Sequence, residues 1–399
     1  MIIAHKIALD LNNQQATYCQ KAAGTARFSY NWALAEWSAQ YQAWKLDGAQ
    51  PSQAALRRQL NAIKREQFPW MLEVTKNAPQ MAIIQLGEAF KNFFAGRAKY
   101  PQFKKKGKSR DSFTLTNDQF SVEGSRIRIP LLGWVRMRES LRFNGKIVSA
   151  TISRTANRWY VSISVDTEDK SHLPKAENQG VVGVDLGVKA LATLSTGEEI
   201  TGAKPLKRLM AKLKRLSRAL SRKTKGSANH QKAKQKIAKL HARIAFVRQN
   251  TLHQVTTDLT RRFHTIGIED LNVKGMVKNR RLSRAISDMG FFEFRRQLEY
   301  KAQMRGGVVV VADRWYPSSK TCHVCGDVQS TLPLSVRQWQ CPTCQTQHDR
   351  DKNAAINLAR HAVSSTVSAC GAEGSGSDRK ARAKPAAVKQ EVNTKTTYG

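Results

Sequence analysis

The feature that most constrains the fold of this chain is a quartet of cysteines. These four residues are Cys322, Cys325, Cys341 and Cys344, two CxxC pairs that are fifteen residues apart. Four thiolates at this spacing form a closed tetrahedral zinc site that has no open position for water, so the role of the metal is structural. We therefore predict one structural Zn²⁺ within a zinc ribbon at residues 320–348, with His323 and His348 as less favoured substitute ligands. Cys19 and Cys370 stand alone.

The charge of the chain predicts the class of its partner. Lysine and arginine number 67 and aspartate and glutamate 30, so the formal net charge of the 399 residues is +37. Such an imbalance opposes compaction unless a polyanion, most plausibly nucleic acid, neutralises it. The hydrophobic fraction of 41% excludes a wholly disordered basic tail. No apolar run reaches the roughly 18–20 residues of a membrane span, and His5 and Lys6 interrupt the apolar start that a secretory signal needs.

The first half of the chain changes its hydrophobic periodicity twice. Residues 1–12 and 100–167 alternate as antiparallel strands do, which predicts a small β-barrel. Residues 13–99 have helical periodicity and form a predicted insertion into that barrel. Its aromatic stripe (Tyr30, Trp37, Tyr41 and Trp44) fits a helix-bundle core better than a base-stacking surface. The polar residues 168–180 are the predicted linker to the second half.

The second half alternates short apolar strands with helices, as an α/β domain does. We assign residues 181–319 and 349–363 to this domain and residues 364–399 to a disordered tail. Residues 204–250 predict an antiparallel helical hairpin with a leucine-rich seam. This hairpin contains sixteen lysines and arginines and no acidic residue. A solvated helix would interleave glutamate with lysine, so the composition favours a nucleic-acid face.

Three acidic residues follow predicted strands or begin a predicted helix. Asp185 and Glu269 each end a short apolar strand, and Asp351 lies at the start of a helix. Elements of an α/β sheet converge at its carboxyl edge, where the acids would repel one another unless divalent cations neutralised them. Two hard cations about 4 Å apart suit phosphodiester hydrolysis. The alternative is structural: a turn cap, an ion pair with lysine and a helix N-cap.

The strings around these residues resemble a known family. The matching segments are residues 183–189 (GVDLGVK), 268–276 (IEDLNVKGM), 313–322 (DRWYPSSKTC), 348–355 (HDRDKNAA), 28–33 (FSYNWA) and 100–106 (YPQFKKK). They are similar to the RuvC-type nuclease centre of the ribonuclease-H fold, and in particular to the TnpB family. Its members are RNA-guided endonucleases of bacterial insertion sequences, akin to compact type V CRISPR effectors. The resemblance covers roughly residues 1–360.

The resemblance implies a fold and a set of roles. The fold would be α+β multidomain: a wedge-like β-barrel with a helical insertion, then a RuvC-like nuclease domain carrying the zinc ribbon. By motif, Asp185, Glu269 and Asp351 match the three catalytic acids, which would hold two Mg²⁺ ions. Asp349 competes with Asp351 for the third position, and Asp270 more weakly with Glu269. All three acids are present, as in an active enzyme.

The implied function is RNA-guided cleavage of DNA. A guide RNA from the element's own transcript would read most of the target, and the protein would read a short flanking motif in double-stranded DNA. Candidate nucleic-acid contacts are Lys76, Gln80, Lys104, Lys105, Lys106, Lys212 and Arg215. The implied setting is a monomer with its RNA in the cytoplasm, near the nucleoid of a bacterial or archaeal cell. Two alternatives remain: a DNA strand transferase on the same fold, and a non-catalytic regulator that binds RNA or DNA.

Overall fold

The structure is a computed structural model that describes residues 1–44, 50–167 and 177–371. Most of the predicted linker, residues 168–176, and the tail after residue 371 lie outside the described residues. The chain divides into two compact units. The first unit contains residues 1–176, 202–261 and 273–306, and the second contains residues 177–201, 262–272 and 307–399.

More of the described residues lie in helices than in strands. The helices are α1 (Asn13–Trp44), α2 (Gln53–Gln67), α3 (Asn77–Phe94), α4 (Pro205–Ser221), α5 (Ala228–Arg262), α6 (Val273–Met276), α7 (Ser283–Met289), α8 (Phe291–Met304) and α9 (Arg350–Gly371). The strands are β1 (Ile2–Asp10), β2 (Ser112–Thr116), β3 (Ser121–Glu123), β4 (Arg126–Ile129), β5 (Gly133–Met137), β6 (Lys146–Thr155), β7 (Arg158–Asp166), β8 (Val181–Asp185), β9 (Ala192–Leu194), β10 (Glu199–Ile200), β11 (Thr265–Glu269), β12 (Val308–Ala312), β13 (Gln338–Gln340) and β14 (Gln347–Asp349). In the described part of the chain, no helix combines the length and apolarity needed to cross a bilayer.

The first unit is built on a seven-stranded antiparallel sheet. Its strand order is β2-β6-β7-β1-β5-β4-β3. The first seven residues of β1 pair with β7, and its last two pair with β5, so β1 passes from one half of the sheet to the other. Side chains alternate between buried and half-buried along β7 after its exposed first residue, so one face of the sheet is more fully covered than the other. Helices α1 to α3 therefore lie, in sequence, between two strands of one sheet.

Aromatic residues of α1 pack in the core of the first unit. Tyr30 and Trp37 are buried, and the Trp37 ring stacks on Phe90 of α3 with 4.4 Å between ring centroids. Tyr41 packs against this core from its edge. Trp44, at the end of the helix, is 39% exposed. The core interpretation therefore fits the first two positions, and the stripe becomes solvent-exposed as α1 extends beyond its partner helices.

The basic helical hairpin belongs to the first unit, which differs from the predicted domain boundary. Helices α4 and α5 were expected to belong to the nuclease domain, but residues 202–261 group with residues 1–176. Buried Asp288 of α7 accepts hydrogen bonds from the backbone N–H groups of Leu206 and Lys207, both at 2.9 Å. These bonds satisfy otherwise unpaired donors at the start of α4. The hairpin is thus fixed at its base by α7, another element of the first unit.

The second unit contains a five-stranded sheet covered by α9. Its strand order is β10-β9-β8-β11-β12, and β8, β11 and β12 are parallel. Strands β13 and β14 form a separate antiparallel pair. Helix α9 continues to Gly371. The helix therefore extends beyond residue 364, where the sequence analysis begins the disordered tail.

Candidate active site and metal centre

Two glycines allow α9 to lie directly on the parallel sheet. A Cβ atom on Gly183 of β8 would lie 1.8 Å from the carbonyl oxygen of Ala355 in α9. A Cβ on Gly267 of β11 would lie 2.4 Å from the carbonyl oxygen of Leu358. Side chains two residues apart in a strand share one face. Asp185 and Glu269, each two residues after its glycine, therefore lie on the α9 face of the sheet.

The third acid lies at the start of the same helix. Asp351, Ala355, Leu358 and Ala362 are spaced by four, three and four residues, so they share one helical face. Ala355, Leu358 and Ala362 are fully buried against the sheet. This register places Asp351 at the sheet edge where β8 and β11 end. The competing acid, Asp349, is exposed, and its Oδ1 accepts the Lys352 backbone N–H at 2.9 Å as a helix cap does.

The three acids interact electrostatically. Burial raises the pKa of the Asp185 carboxyl well above its usual value, and repulsion from Glu269 and Asp351 raises it further. Arg350 and Arg337 oppose this shift without cancelling it. The Asp185 carboxyl resists ionisation because no sufficient positive charge lies beside it. A divalent cation would supply that charge, and carboxylate oxygens are the ligands that such a cation prefers.

Two side chains that the sequence analysis did not single out hold the acids. The Ser318 hydroxyl donates a hydrogen bond to Oε1 of Glu269. The Arg337 guanidinium lies 3.2 Å from Oδ1 of Asp351. Within the described ranges, the three carboxylates do not form a group whose ligand atoms all lie within 4.8 Å of one another. Asp185 thus interacts electrostatically with the other two acids, while Ser318 contacts Glu269 and Arg337 contacts Asp351.

Two buried asparagines of α9 fix the loop that carries Ser318. The Nδ2 atom of Asn357 donates to the carbonyl oxygens of Ser318 at 2.8 Å and Thr321 at 2.6 Å. One helical turn earlier, Asn353 donates to Thr321 and accepts from the backbone N–H of His323. Buried amides at spacing four were visible in the sequence, but their acceptors lie more than thirty residues away in the chain. Periodicity alone therefore could not identify this role.

The sulfur atoms of the four cysteines lie close enough together to bind one metal ion. One sulfur atom from each of the four cysteines lies within 4.8 Å of the others. Hydrogen bonding with Thr346 lowers the pKa of the Cys344 thiol to about 6, whereas desolvation and hydrogen bonds with the other cysteines raise the pKa of Cys325, so without metal Cys344 is the thiol that most favours the thiolate. His348 is outside the group, although its Nε2 lies 3.0 Å from Sγ of Cys322. His323 instead contacts Oδ1 of Asn353 at 2.9 Å. The described cluster thus uses sulfur ligands alone.

The structure places Lys76 and Gln80 in one groove of the first unit. They lie at the start of α3 and line a cavity of about 340 Å³. Helix α2 contributes three cationic side chains to the same lining: Arg57, Arg58 and Lys64. This groove suits a polyanion, although the sequence analysis did not identify the contribution of α2. The signal was present in the basic residues spaced along one side of α2.

The other basic candidates differ in their exposure. The Lys104 ammonium lies 3.8 Å from the centroid of the Tyr30 ring, and burial lowers the pKa of this lysine. This packing makes Lys104 a poorer phosphate contact than its neighbours. Lys105 and Lys106 are exposed, and so are Lys212 and Arg215 on α4. All four remain free to meet a polyanion.

Comparison with known proteins identifies the class and then the family. A solved structure of a Cas12f1–sgRNA–target DNA complex aligns with a TM-score of 0.52 at 15% identity, covering 87% of this chain and 83% of that one. The chain therefore shares the mixed α/β fold of that protein. Three family profiles match: "Probable transposase" at residues 162–280, "Cas12f1-like, TNB domain" at residues 291–358 and "Helix-turn-helix domain" at residues 1–45. The last name does not describe α1, which is one continuous helix.

Relatives align over nearly the whole chain. A "Putative RNA-guided DNA endonuclease" of Streptomyces pristinaespiralis is 38% identical over 96% of this chain and 94% of its own length. The Escherichia coli K12 protein named "Putative RNA-guided DNA endonuclease InsQ" is 35% identical over 92% of this chain and 94% of its own. The chain belongs to the TnpB family, and the resemblance seen in the sequence is confirmed.

Proposed function

We propose that this protein is an RNA-guided DNA endonuclease of a transposable element that hydrolyses phosphodiester bonds at one RuvC-like Mg²⁺ site. The observation that carries the proposal is the electrostatic coupling of Asp185 to Glu269 and Asp351, from two strand ends and one helix start. The relatives' names support the same activity. Guide RNA from the element's own transcript and double-stranded DNA with a flanking motif are the proposed partners, bound by a monomer.

Each residue of the proposed site has a distinct task. Asp185, Glu269 and Asp351 would hold two Mg²⁺ ions. When bound, this metal supplies activation of the attacking water and stabilisation of the leaving 3′-oxygen. Ser318 orients the Glu269 carboxylate, and Arg337 keeps a positive charge beside Asp351. Both contacts would have to change if the Glu269 and Asp351 carboxylates rotated to bind a cation.

The remaining parts of the proposal concern target selection and architecture. Lys76 and Gln80 would read base edges of the flanking DNA motif from their shared groove. Lys105, Lys106, Lys212 and Arg215 would contact phosphates of the RNA or DNA. The seven-stranded sheet would act as the wedge-like barrel, and residues 320–348 as a zinc ribbon inserted before Asp351.

The test of the function uses the protein expressed from its own locus. We expect a discrete RNA to co-purify, and Mg²⁺ to trigger cutting of DNA that matches this RNA. Joining of DNA strands instead of cutting would favour a strand transferase. Binding without any reaction would favour a regulator. Sequencing the bound RNA then supplies the matched target and a scrambled control.

The cysteine cluster predicts one zinc ion per chain. We expect Cys322→Ser to lose this zinc and to destabilise the second unit by several kcal/mol, because binding of a structural metal contributes directly to folding. Mg²⁺-dependent cutting should fall with it, although the three carboxylates are unchanged. Elemental analysis and denaturant unfolding measure the two effects. Cys19→Ala, a buried cysteine of the first unit, is the control and should retain zinc; stoichiometric zinc in Cys322→Ser would contradict the assignment.

The raised pKa of Asp185 predicts the pH dependence of metal use. A carboxyl with a raised pKa is more often protonated at a given pH, so protons compete with Mg²⁺ for it. Raising the pH through the titration of Asp185 should therefore lower the Mg²⁺ concentration that gives half-maximal cutting, by up to about tenfold per pH unit. RNA affinity, measured at the same pH values, is the control. An unchanged Mg²⁺ requirement would contradict the cluster.

A further inference from the structure

The loop of residues 313–318 begins and ends beside Glu269 and exposes a side chain between its two ends. It follows β12, whose last residue, Ala312, pairs in register with Glu269. It ends at buried Ser318, which donates a hydrogen bond to the same glutamate. Both ends of this loop thus lie beside one of the three acids. A side chain in the middle of this loop is therefore only three residues along the chain from each of the two residues that lie beside Glu269.

Alternate residues attach this loop to the rest of the second unit. Arg314 forms an ion pair with Asp270 at 2.6 Å. Tyr316 packs its ring on His361 of α9 with 4.8 Å between ring centroids, and its hydroxyl donates to the carbonyl oxygen of Asn357 at 3.3 Å. The loop is therefore anchored on both sides of residue 315.

Trp315 is the residue between these anchors, and its side chain is exposed. It is 85% exposed, more than any other large hydrophobic side chain in the described ranges. Its backbone N–H donates to Oδ1 of Asp313 at 2.8 Å, so the main chain that carries the indole is also fixed. Exposing a whole indole to water is unfavourable. A rigid loop that presents one in this way is typical of a binding surface.

We propose that Trp315 is a stacking platform for an unpaired base of the DNA strand next to the bond that is cut. This inference rests on the proposed function. An indole face stacks on any base, which suits a nuclease whose target sequence is read by RNA. Arg314, the neighbour of Trp315 in the chain, forms an ion pair with Asp270, so the loop does not itself supply a free cationic group. A nucleic acid is the favoured partner over a protein because the net charge of the chain is +37.

The first experiment measures single-turnover cutting by the full chain with its own RNA. We expect Trp315→Ala to slow cutting by about fivefold to one-hundredfold, the range given by loss of one base stack. Trp315→Phe should recover most of the rate, because it restores an aromatic face. Phe292→Ala, which removes a 72% exposed aromatic side chain from α8 of the first unit, is the control and should cut as the wild type does.

The second experiment reads stacking without catalysis. In the Asp185→Ala background, 2-aminopurine is placed in turn at each position flanking the scissile bond of the matched DNA. We expect fluorescence at one position to be quenched with Trp315 and restored with Trp315→Ala. An abasic nucleotide at that position should also remove the rate difference between wild type and Trp315→Ala.

The outcomes separate this inference from the proposed function. If the wild type cuts and Trp315→Ala cuts within about twofold of it, the stacking platform is wrong and the nuclease stands. If quenching does not depend on Trp315, the platform is also wrong. If the wild type does not cut matched DNA, the proposed function fails, whereas Trp315-dependent quenching would still support the contact. Loss of a co-purifying protein from Trp315→Ala, with quenching unchanged, would indicate a protein partner instead.

Discussion

Replacing Asp185 with alanine is expected to abolish DNA cutting while RNA binding is retained. Asp185 lies at the carboxyl end of β8 and interacts with both Glu269 and Asp351. Asp185→Ala removes the carboxylate that interacts with both of the other acids. Stabilisation of charge by a catalytic metal is worth several kcal/mol, so we expect the rate to fall by about a thousandfold or more. Single-turnover cleavage and RNA affinity, measured on the same preparation, give the two numbers.

The matched control for this prediction is Asp349→Ala. Asp349 is exposed and caps the start of α9, so its loss should cost only about 1 kcal/mol of stability and leave most of the cutting rate. Asp351→Ala, two residues later, should behave as Asp185→Ala does. Retained cutting in Asp185→Ala, or a greater loss in Asp349→Ala than in Asp351→Ala, would overturn the site assignment.

The second large effect, on both stability and cutting, is expected from adding one methyl group to β8. In Gly183→Ala the new methyl group would lie 1.8 Å from the Ala355 carbonyl oxygen, and that oxygen belongs to the backbone of α9. The helix cannot yield as a flexible side chain would, so it must move away from β8. We expect the free energy of unfolding to fall by about 3 kcal/mol or more. Cutting should fall by about a hundredfold, because Asp351 moves with the helix.

Denaturant unfolding and single-turnover cleavage measure these two effects. Gly24→Ala in α1 is the matched control, since the nearest atom to its added Cβ is a flexible guanidinium nitrogen of Arg27 at 3.9 Å. This helical position should gain about 0.5–1 kcal/mol from the same substitution. If Gly183→Ala unfolds and cuts as the wild type does, the close approach of α9 to the sheet does not position the site.

Family membership and the mixed α/β class could be predicted from local strings, because strand ends, a helix start and CxxC pairs each leave a signature within ten residues. The partners of these strings could not be predicted in the same way. Ser318 and Arg337 stand among ordinary loop residues, and only folding brings them to Glu269 and Asp351. Packing also differs among residues of one basic run: Lys104 lies over the Tyr30 ring, which its position in the run did not indicate.

The sequence by itself predicted the zinc ribbon, the three candidate acids and a nucleic-acid partner. Each prediction depends on composition or on the spacing of residues that are close in the chain. Only the tertiary structure showed that Asp349 caps the start of α9, that Asp351 acts electrostatically on Asp185, and that the basic hairpin groups with the first unit. The last two depend on contacts between segments far apart in the chain. Helix α9 packs on the sheet through one face because Gly183 and Gly267, which are far from it in the chain, leave room for its backbone.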